Sequence, residues 1–167
     1  KNGLLELEAS VASAISGMKQ TTIYKRGDAI FAHGQYPFGV YCIHHGHVKI
    51  TRTGPDGREI IMRFAKMGDI IGYASLLNNE RYQTNCIAVD DSVVCCIPAP
   101  LLFQAIRTNH KLTLHVMQRL SAEVHDAQRR VIEMANKSIK ERVAETLLVL
   151  KEVFGVQEDG VTLKSPL

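Results

Sequence analysis

Two spacings of apolar residues divide the chain. Over residues 21–99 the apolar positions come in short runs: Ile23-Tyr24-Lys25, Ala29-Ile30-Phe31, 40–43, 48–51, 60–64, Ile70-Ile71, 86–89 and 93–97. Between them stand Arg26-Gly27-Asp28, His33-Gly34, Tyr36-Pro37-Phe38-Gly39, Gly54-Pro55-Asp56-Gly57 and Gly68-Asp69. Short runs rich in β-branched residues, closely spaced and broken by Gly, Pro and Asp, predict about eight strands in a sandwich or barrel. Gly54-Pro55-Asp56-Gly57 predicts a hairpin turn, because Pro fixes φ and Gly permits positive φ.

After Pro98 and Pro100 the texture becomes helical, and residues 101–154 contain neither Pro nor Gly. Met117, Leu120, Val124, Ala127, Val131 and Met134 follow one another at alternating separations of 3 and 4. That is the a/d seam of a coiled coil, and it predicts a long helix over 101–137 that pairs with a second copy. Docking of the same seam on the β-rich domain is the alternative. Asn136 or Ser138 marks a break. Ile139, Val143 and Leu147, with Ala144, Leu148 and Leu150, predict a second amphipathic helix over 138–155. At the other end Leu4, Leu7, Val11, Ile15 and Met18 predict a helix within 1–20. Residues 156–167 read as a linker, and Ser165-Pro166 resembles a helix start with nothing after it. The expected fold class is mainly β plus α.

Composition narrows the classes. Hydrophobic residues make up 46% and charged ones 22%, an ordinary globular balance. The net charge of +3 is too small to argue nucleic-acid binding from charge alone. No apolar run reaches membrane-spanning length and no signal-peptide pattern opens the chain, so a cytoplasmic protein without a membrane partner is expected. Cys42, Cys86, Cys95 and Cys96 all fall in strand-like runs and read as small buried hydrophobes in a reducing compartment. Cys95 and Cys96, adjacent in a strand, point to opposite faces and are poor partners in a metal site. His44, His45 and His47, joined by His33, are the nearest approach to a metal constellation. They read as solvated residues at a strand end, so no metal is expected. No nucleophile–base pair is found, and no enzyme is expected.

Residues 68–84 carry the candidate chemistry. Gly68-Asp69 makes a turn, Ile70-Ile71 is short enough for a buried strand, and a compact Ala74-Ser75-Leu76-Leu77 turn follows Gly72. A small helix between strands aims backbone N–H groups at one spot, as proteins do for phosphates. An ordinary strand–turn–strand connection is the other reading.

Taken in order, these pieces resemble the cyclic-AMP receptor protein and fumarate–nitrate regulator superfamily of bacterial transcription factors. Residues 39–50 fit its strand, glycine turn and strand, and Gly57-Arg58-Glu59-Ile60-Ile61 its hairpin return. Gly68-Asp69-Ile70-Ile71-Gly72 fits the approach to the phosphate-binding cassette, and residues 142–148 the helix after the dimer helix. The resemblance implies a double-stranded β-helix (jelly-roll) effector domain over 21–99, a dimerisation helix, and a homodimer. It also implies a C-terminal winged helix-turn-helix that contacts DNA, starting near Ser165 and absent here. A module of a signalling protein is the alternative within the same fold. A cupin-type enzyme shares the architecture, but its inward His/Glu metal ligands are missing from these strands.

The implied effector pocket comprises Gly72, Tyr73, Ala74, Ser75, Arg81, Gln83, Thr84, Ala127 and Gln128. Members that bind cyclic AMP carry a glutamate for the ribose where Tyr73 stands and an arginine for the phosphate where Gln83 stands. Thr84 keeps the hydroxyl. A buried phosphate needs a charge partner or a dense set of donors, and Gln83 offers an amide only. The expected effector is therefore a small molecule other than cyclic AMP, or none, and the cofactor stays unknown. Arg81 is expected to face solvent.

Overall fold

The computed structural model describes residues 20–159 and 162–164, with all side chains in that range except those of 134 and 135. The helix expected within 1–20, the Ser-Pro ending and the Met134 side chain lie outside the described residues. The chain divides into two compact units, residues 1–109 and 110–167.

In the first unit all eight expected strands form: β1 (Gln20–Tyr24), β2 (Ala29–Phe31), β3 (Gly39–His45), β4 (His47–Thr53), β5 (Glu59–Lys66), β6 (Ile70–Ile71), β7 (Asn85–Ala88) and β8 (Ser92–Pro98). They make two four-stranded antiparallel sheets, ordered β1-β8-β3-β6 and β2-β7-β4-β5. Consecutive strands alternate between sheets often enough to give the jelly-roll arrangement. The Gly54-Pro55-Asp56-Gly57 turn closes the β4–β5 hairpin: the Gly57 N–H donates to the Gly54 carbonyl at 3.0 Å, and Gly57 takes φ +79°.

The facing sides of the sheets bury Phe31, Ile43, Val48, Ile50, Ala65, Ile71, Tyr82, Cys86 and Val94 in one cluster. Each large aliphatic member contributes about 1.5–3 kcal/mol by leaving water. The outer face of the first sheet is apolar too, with Val40, Cys42, Cys95 and Ile97 buried. Cys42 and Cys95 are register partners on β3 and β8. All four cysteines are free thiols. At the end of that ladder Gly39 leaves no room for a side chain, since a Cβ there would stand 2.1 Å from the Ile97 carbonyl oxygen. β5 is an edge strand, and Ile60, Ile61 and Met62 on it are exposed.

A short helix, α1 (Tyr73–Leu77), follows β6, and α2 (Ala99–Thr108) follows β8. Pro98 caps α2 and Pro100 sits in its first turn, so the two prolines open a helix. The second unit holds α3 (His110–Asn136) and α4 (Ile139–Phe154).

The single helix expected over 101–137 is corrected by this arrangement: it is interrupted at Asn109, whose backbone is extended at φ −123° and ψ 95°. Thr108 donates its hydroxyl to the Gln104 carbonyl at 3.0 Å, and the Asn109 N–H bonds back to Ala105. The Thr108 hydroxyl thus competes for a helical carbonyl, and the Asn109 N–H closes the last turn of α2 before the backbone becomes extended. The break near Ser138 is a capping box, in which the Ser138 N–H donates to the Glu141 carboxylate at 2.7 Å and the Ser138 hydroxyl accepts from the Glu141 N–H. Lys137 forms ion pairs with Glu133 and Glu145 across this break.

Candidate functional site

The approach to α1 is fixed by backbone bonds between β3 and the Gly68-Asp69 turn. The Ile43 N–H donates to the Asp69 carbonyl at 3.0 Å, and the Gly68 N–H returns one to the Ile43 carbonyl at 2.9 Å. The Asp69 carboxylate accepts from the Lys66 N–H at 3.0 Å. Gly72 stands at the N-cap of α1 with φ +84°, a left-handed conformation that glycine adopts without penalty. A Cβ here would press on the Tyr82 hydroxyl at 3.2 Å and on the Tyr41 ring at 3.3 Å. Asn79, at φ +55°, turns the chain out of α1 into the loop that carries Arg81 to Thr84.

That loop alternates direction. Tyr82 is buried and stacks on Phe31, with ring centroids 4.0 Å apart and planes 17° from parallel. Its backbone is held on both sides, the Tyr82 N–H donating to Gln35 at 2.9 Å and the Gly34 N–H donating to the Tyr82 carbonyl at 2.8 Å. Its hydroxyl donates to the Gly39 carbonyl at 3.4 Å. Burial pushes the Tyr41 phenol up to about 12, and the Tyr82 phenol is raised by burial first and then by Tyr41. Both are neutral donors at physiological pH.

Arg81, next to it, is exposed. Its guanidinium lies 4.0 Å over the Tyr36 ring and donates to the Gly34 carbonyl at 2.7 Å. Gln83 is exposed as well, and its amide donates to the Arg81 carbonyl at 3.3 Å. Gly72 to Ser75 form the N-cap and first turn of α1, while Arg81 and Gln83 make contacts at the outer surface of the loop that follows. Ala127 and Gln128 lie on α3 in the second unit, where both are exposed. The seam residues Met117, Val124 and Val131 on the same helix are 61%, 58% and 68% exposed.

The histidines are dispersed. His44 and His45 are exposed at the end of β3. The His47 ring lies 2.6 Å from the Asp90 carboxylate, which also accepts the His47 backbone N–H. Among the described residues no group of three or more His, Cys, Asp or Glu could hold a metal ion.

Two residues of this region escape a reading of the run pattern alone. One is Tyr82, hidden between polar neighbours in a loop that ends where β7 begins at Asn85. The other is Arg63 on β5. It is the register partner of Ile50, which is the partner of Cys86, which is the partner of Phe31. Cross-strand partners share a face of the sheet. Phe31, Cys86 and Ile50 all belong to the core, so Arg63 ends a transverse row on the inner face. Burial pushes the Cys86 thiol up to about 12, and the Arg63 guanidinium acts against that shift, which places its charge within reach of the sulfur.

Comparison with known proteins agrees with this architecture. Residues 21–109 match the cyclic nucleotide-binding domain model. A CRP-like cAMP-activated global transcriptional regulator of Mycobacterium tuberculosis is 25% identical over 92% of this chain and 69% of its own length. A global nitrogen regulator of Nostoc sp. is 27% identical over 84% of this chain and 64% of its own. The crystal structure of Thermus thermophilus catabolite activator protein superposes with a TM-score of 0.68 at 22% identity, covering 76% of this chain and 59% of that one. The chain belongs to the cyclic nucleotide-binding domain family, in its CRP/FNR branch. It spans about two thirds of the length of these relatives.

Proposed function

We propose that this chain is the sensor and dimerisation part of a transcription regulator, controlled by a small effector other than cyclic AMP. The observation that carries this reading is the loop after α1. Where relatives that bind cyclic AMP are expected to place an acid and an arginine, this chain has Tyr73 and an outward Gln83. The nearby Arg81 is occupied at the surface with Tyr36 and Gly34. A cyclic phosphate placed there would lose the charged partner that desolvation demands.

Dimerisation is assigned to the seam of Met117, Leu120, Val124, Ala127, Val131 and Met134. Three of its large apolar side chains stand more than half exposed in the single chain, which a second copy would cover. Contact with DNA is assigned to a part of the protein beyond the matched region, since the relatives are longer than the stretch they share with this chain. The effector acts by shifting the helix pair between two arrangements and so reorienting the DNA readers. No helix among the described residues is long and apolar enough to cross a membrane, and we assign the protein to the cytoplasm.

Native mass spectrometry and calorimetry test the reading together. A homodimer that gives no heat with millimolar cyclic AMP is expected. A chain that stays monomeric at all concentrations, or that binds cyclic AMP at micromolar levels, overturns it.

A further inference from the structure

The four thiols differ in what stands opposite them. Cys42 and Cys95 are register partners on β3 and β8, the two central strands of the β1-β8-β3-β6 sheet. Partners in an antiparallel ladder hold their Cα atoms about 4.5–5.5 Å apart and their side chains on one face. That spacing lies within the range of about 4.4–6.8 Å that a disulfide spans. Cys42 and Cys95 alternate with the core residues Ile43 and Val94, so both face away from the inner core. Neither other thiol has such a neighbour. Cys96 stands opposite Gln20 and Tyr41, and Cys86 stands opposite Phe31 and Ile50. Burial pushes the Cys86 thiol up to about 12, so it stays protonated and inert.

From this pairing we propose that Cys42 and Cys95 form a two-electron redox site, closed to a cross-strand disulfide by a peroxide and reopened by a dithiol reductant. In the first step one thiolate attacks the peroxide: an S–O bond forms, the O–O bond breaks, and the departing hydroxide takes up the thiol's proton as water. In the second step the opposite sulfur attacks the sulfenic sulfur: the S–S bond forms, the S–O bond breaks, and the oxygen leaves as water with the second thiol's proton. The two sulfurs together lose two electrons, and the peroxide accepts them and ends as two waters. Cys42 keeps the larger exposure, 5% against 1%, which makes it the attacked thiol and Cys95 the resolving one. Access this narrow makes the reaction slow and favours a water-sized oxidant over a bulky one. A sulfur directly opposite consumes the sulfenic acid before it is oxidised further. Thiols reduced at rest and bridged only transiently are the usual form of a redox site in a reducing compartment.

Cys42 is also the register partner of Ile70 on β6, two residues before Gly72 at the cap of α1. A bridge at Cys42 ties β8 to the strand that supports the candidate effector loop, and so gives the sheet an oxidant input of its own. The inference does not depend on the effector reading and stands whether or not a small molecule binds near α1.

The test treats the reduced 167-residue chain with hydrogen peroxide at neutral pH, blocks the remaining thiols with N-ethylmaleimide, and maps peptides by mass spectrometry without reduction. The expected product is a chain lighter by two hydrogens, with the link assigned to Cys42 and Cys95 by a fragment ion that separates Cys95 from Cys96. Its urea midpoint is expected to rise, because the bridge closes a long loop in the unfolded chain, and dithiothreitol is expected to restore both mass and midpoint. Cys42→Ala and Cys95→Ala should each abolish the bridge, and Cys96→Ser should keep it. Circular dichroism checks the fold of each variant, and Cys42→Val, which fills the site with a strand-forming side chain, replaces an Ala variant that fails that check. A bridge to Cys86 or Cys96, a bridge between two chains, a bridge that forms only in urea, or uptake of oxygen atoms alone overturns the inference. An unchanged mass does so too, with free cysteine oxidised by the same peroxide in a parallel sample.

Discussion

Two arginines in the β-domain have opposite fates. Arg81, in the loop after α1, lies over Tyr36 and bonds to a carbonyl at the surface. Arg63, in the middle of an edge strand, faces inward beside Cys86 without an acidic partner among the described residues. The difference comes from what precedes each residue. Tyr82 is fixed inward by stacking and by backbone bonds on both sides, so its neighbour Arg81 must point out. Arg63 is fixed by strand parity, two residues from buried Ala65. Position near a motif says less about a side chain's direction than the parity of the backbone that carries it.

The largest test of this contrast is Tyr82→Ala. If the stack holds the loop, urea unfolding should show a loss of about 3–5 kcal/mol, as for other large aromatics removed from a core. Tyr82→Phe, which removes only the hydroxyl bond, should lose about 1 kcal/mol. An Ala variant as stable as wild type would mean that the loop is not anchored and that Arg81 is free to turn inward. Second in size is an alkaline effect. Tyr41 and Tyr82 have folded-state pKa values above the unfolded one, so the stability they contribute is complete below the unfolded value near 10 and is lost as pH rises toward about 12. Ultraviolet titration of tyrosinate should therefore find both phenols un-ionised at about pH 11 and released together with unfolding.

Smaller effects separate the two arginines by sign. Arg81→Ala should cost about 0.5–1 kcal/mol, the value of an exposed cation over a ring. Arg63→Met should leave stability unchanged or raise it by up to about 1 kcal/mol, because a charge without a partner is replaced by an apolar side chain on an apolar row. A clear loss on Arg63→Met in chemical denaturation would make that residue structural. Val124→Asp tests the helical unit by a different readout: the dimer peak in native mass spectrometry should give way to monomer, with the β-domain's unfolding little changed.

Much of the fold was legible because strands announce themselves by short apolar runs between turn residues, and all eight appear where those runs fall. Which strands pair was not legible, since the sheet orders join residues far apart in sequence. The helix break at Asn109 was missed because Thr and Asn are tolerated in helices, and only the observed Thr108 bond shows them competing with the backbone. Within the candidate site, Gly72 and the turn before it were readable from local chemistry. Arg63 was hidden because a single charged residue inside the apolar run 60–64 does not announce which way it faces, and a register shift between Arg63 and Ile61 breaks the alternation that parity would need.

The outer side of β5 bears on how the molecule behaves in the tube. Among the described residues no further strand pairs with β5 beyond β4, and with Ile60, Ile61 and Met62 exposed this edge is a template onto which another chain can add a strand. Handling the isolated chain is therefore a matter of concentration as much as of temperature. Refolding yield should fall steeply as protein is concentrated, and a single lysine at position 61 should restore it without altering the melting curve.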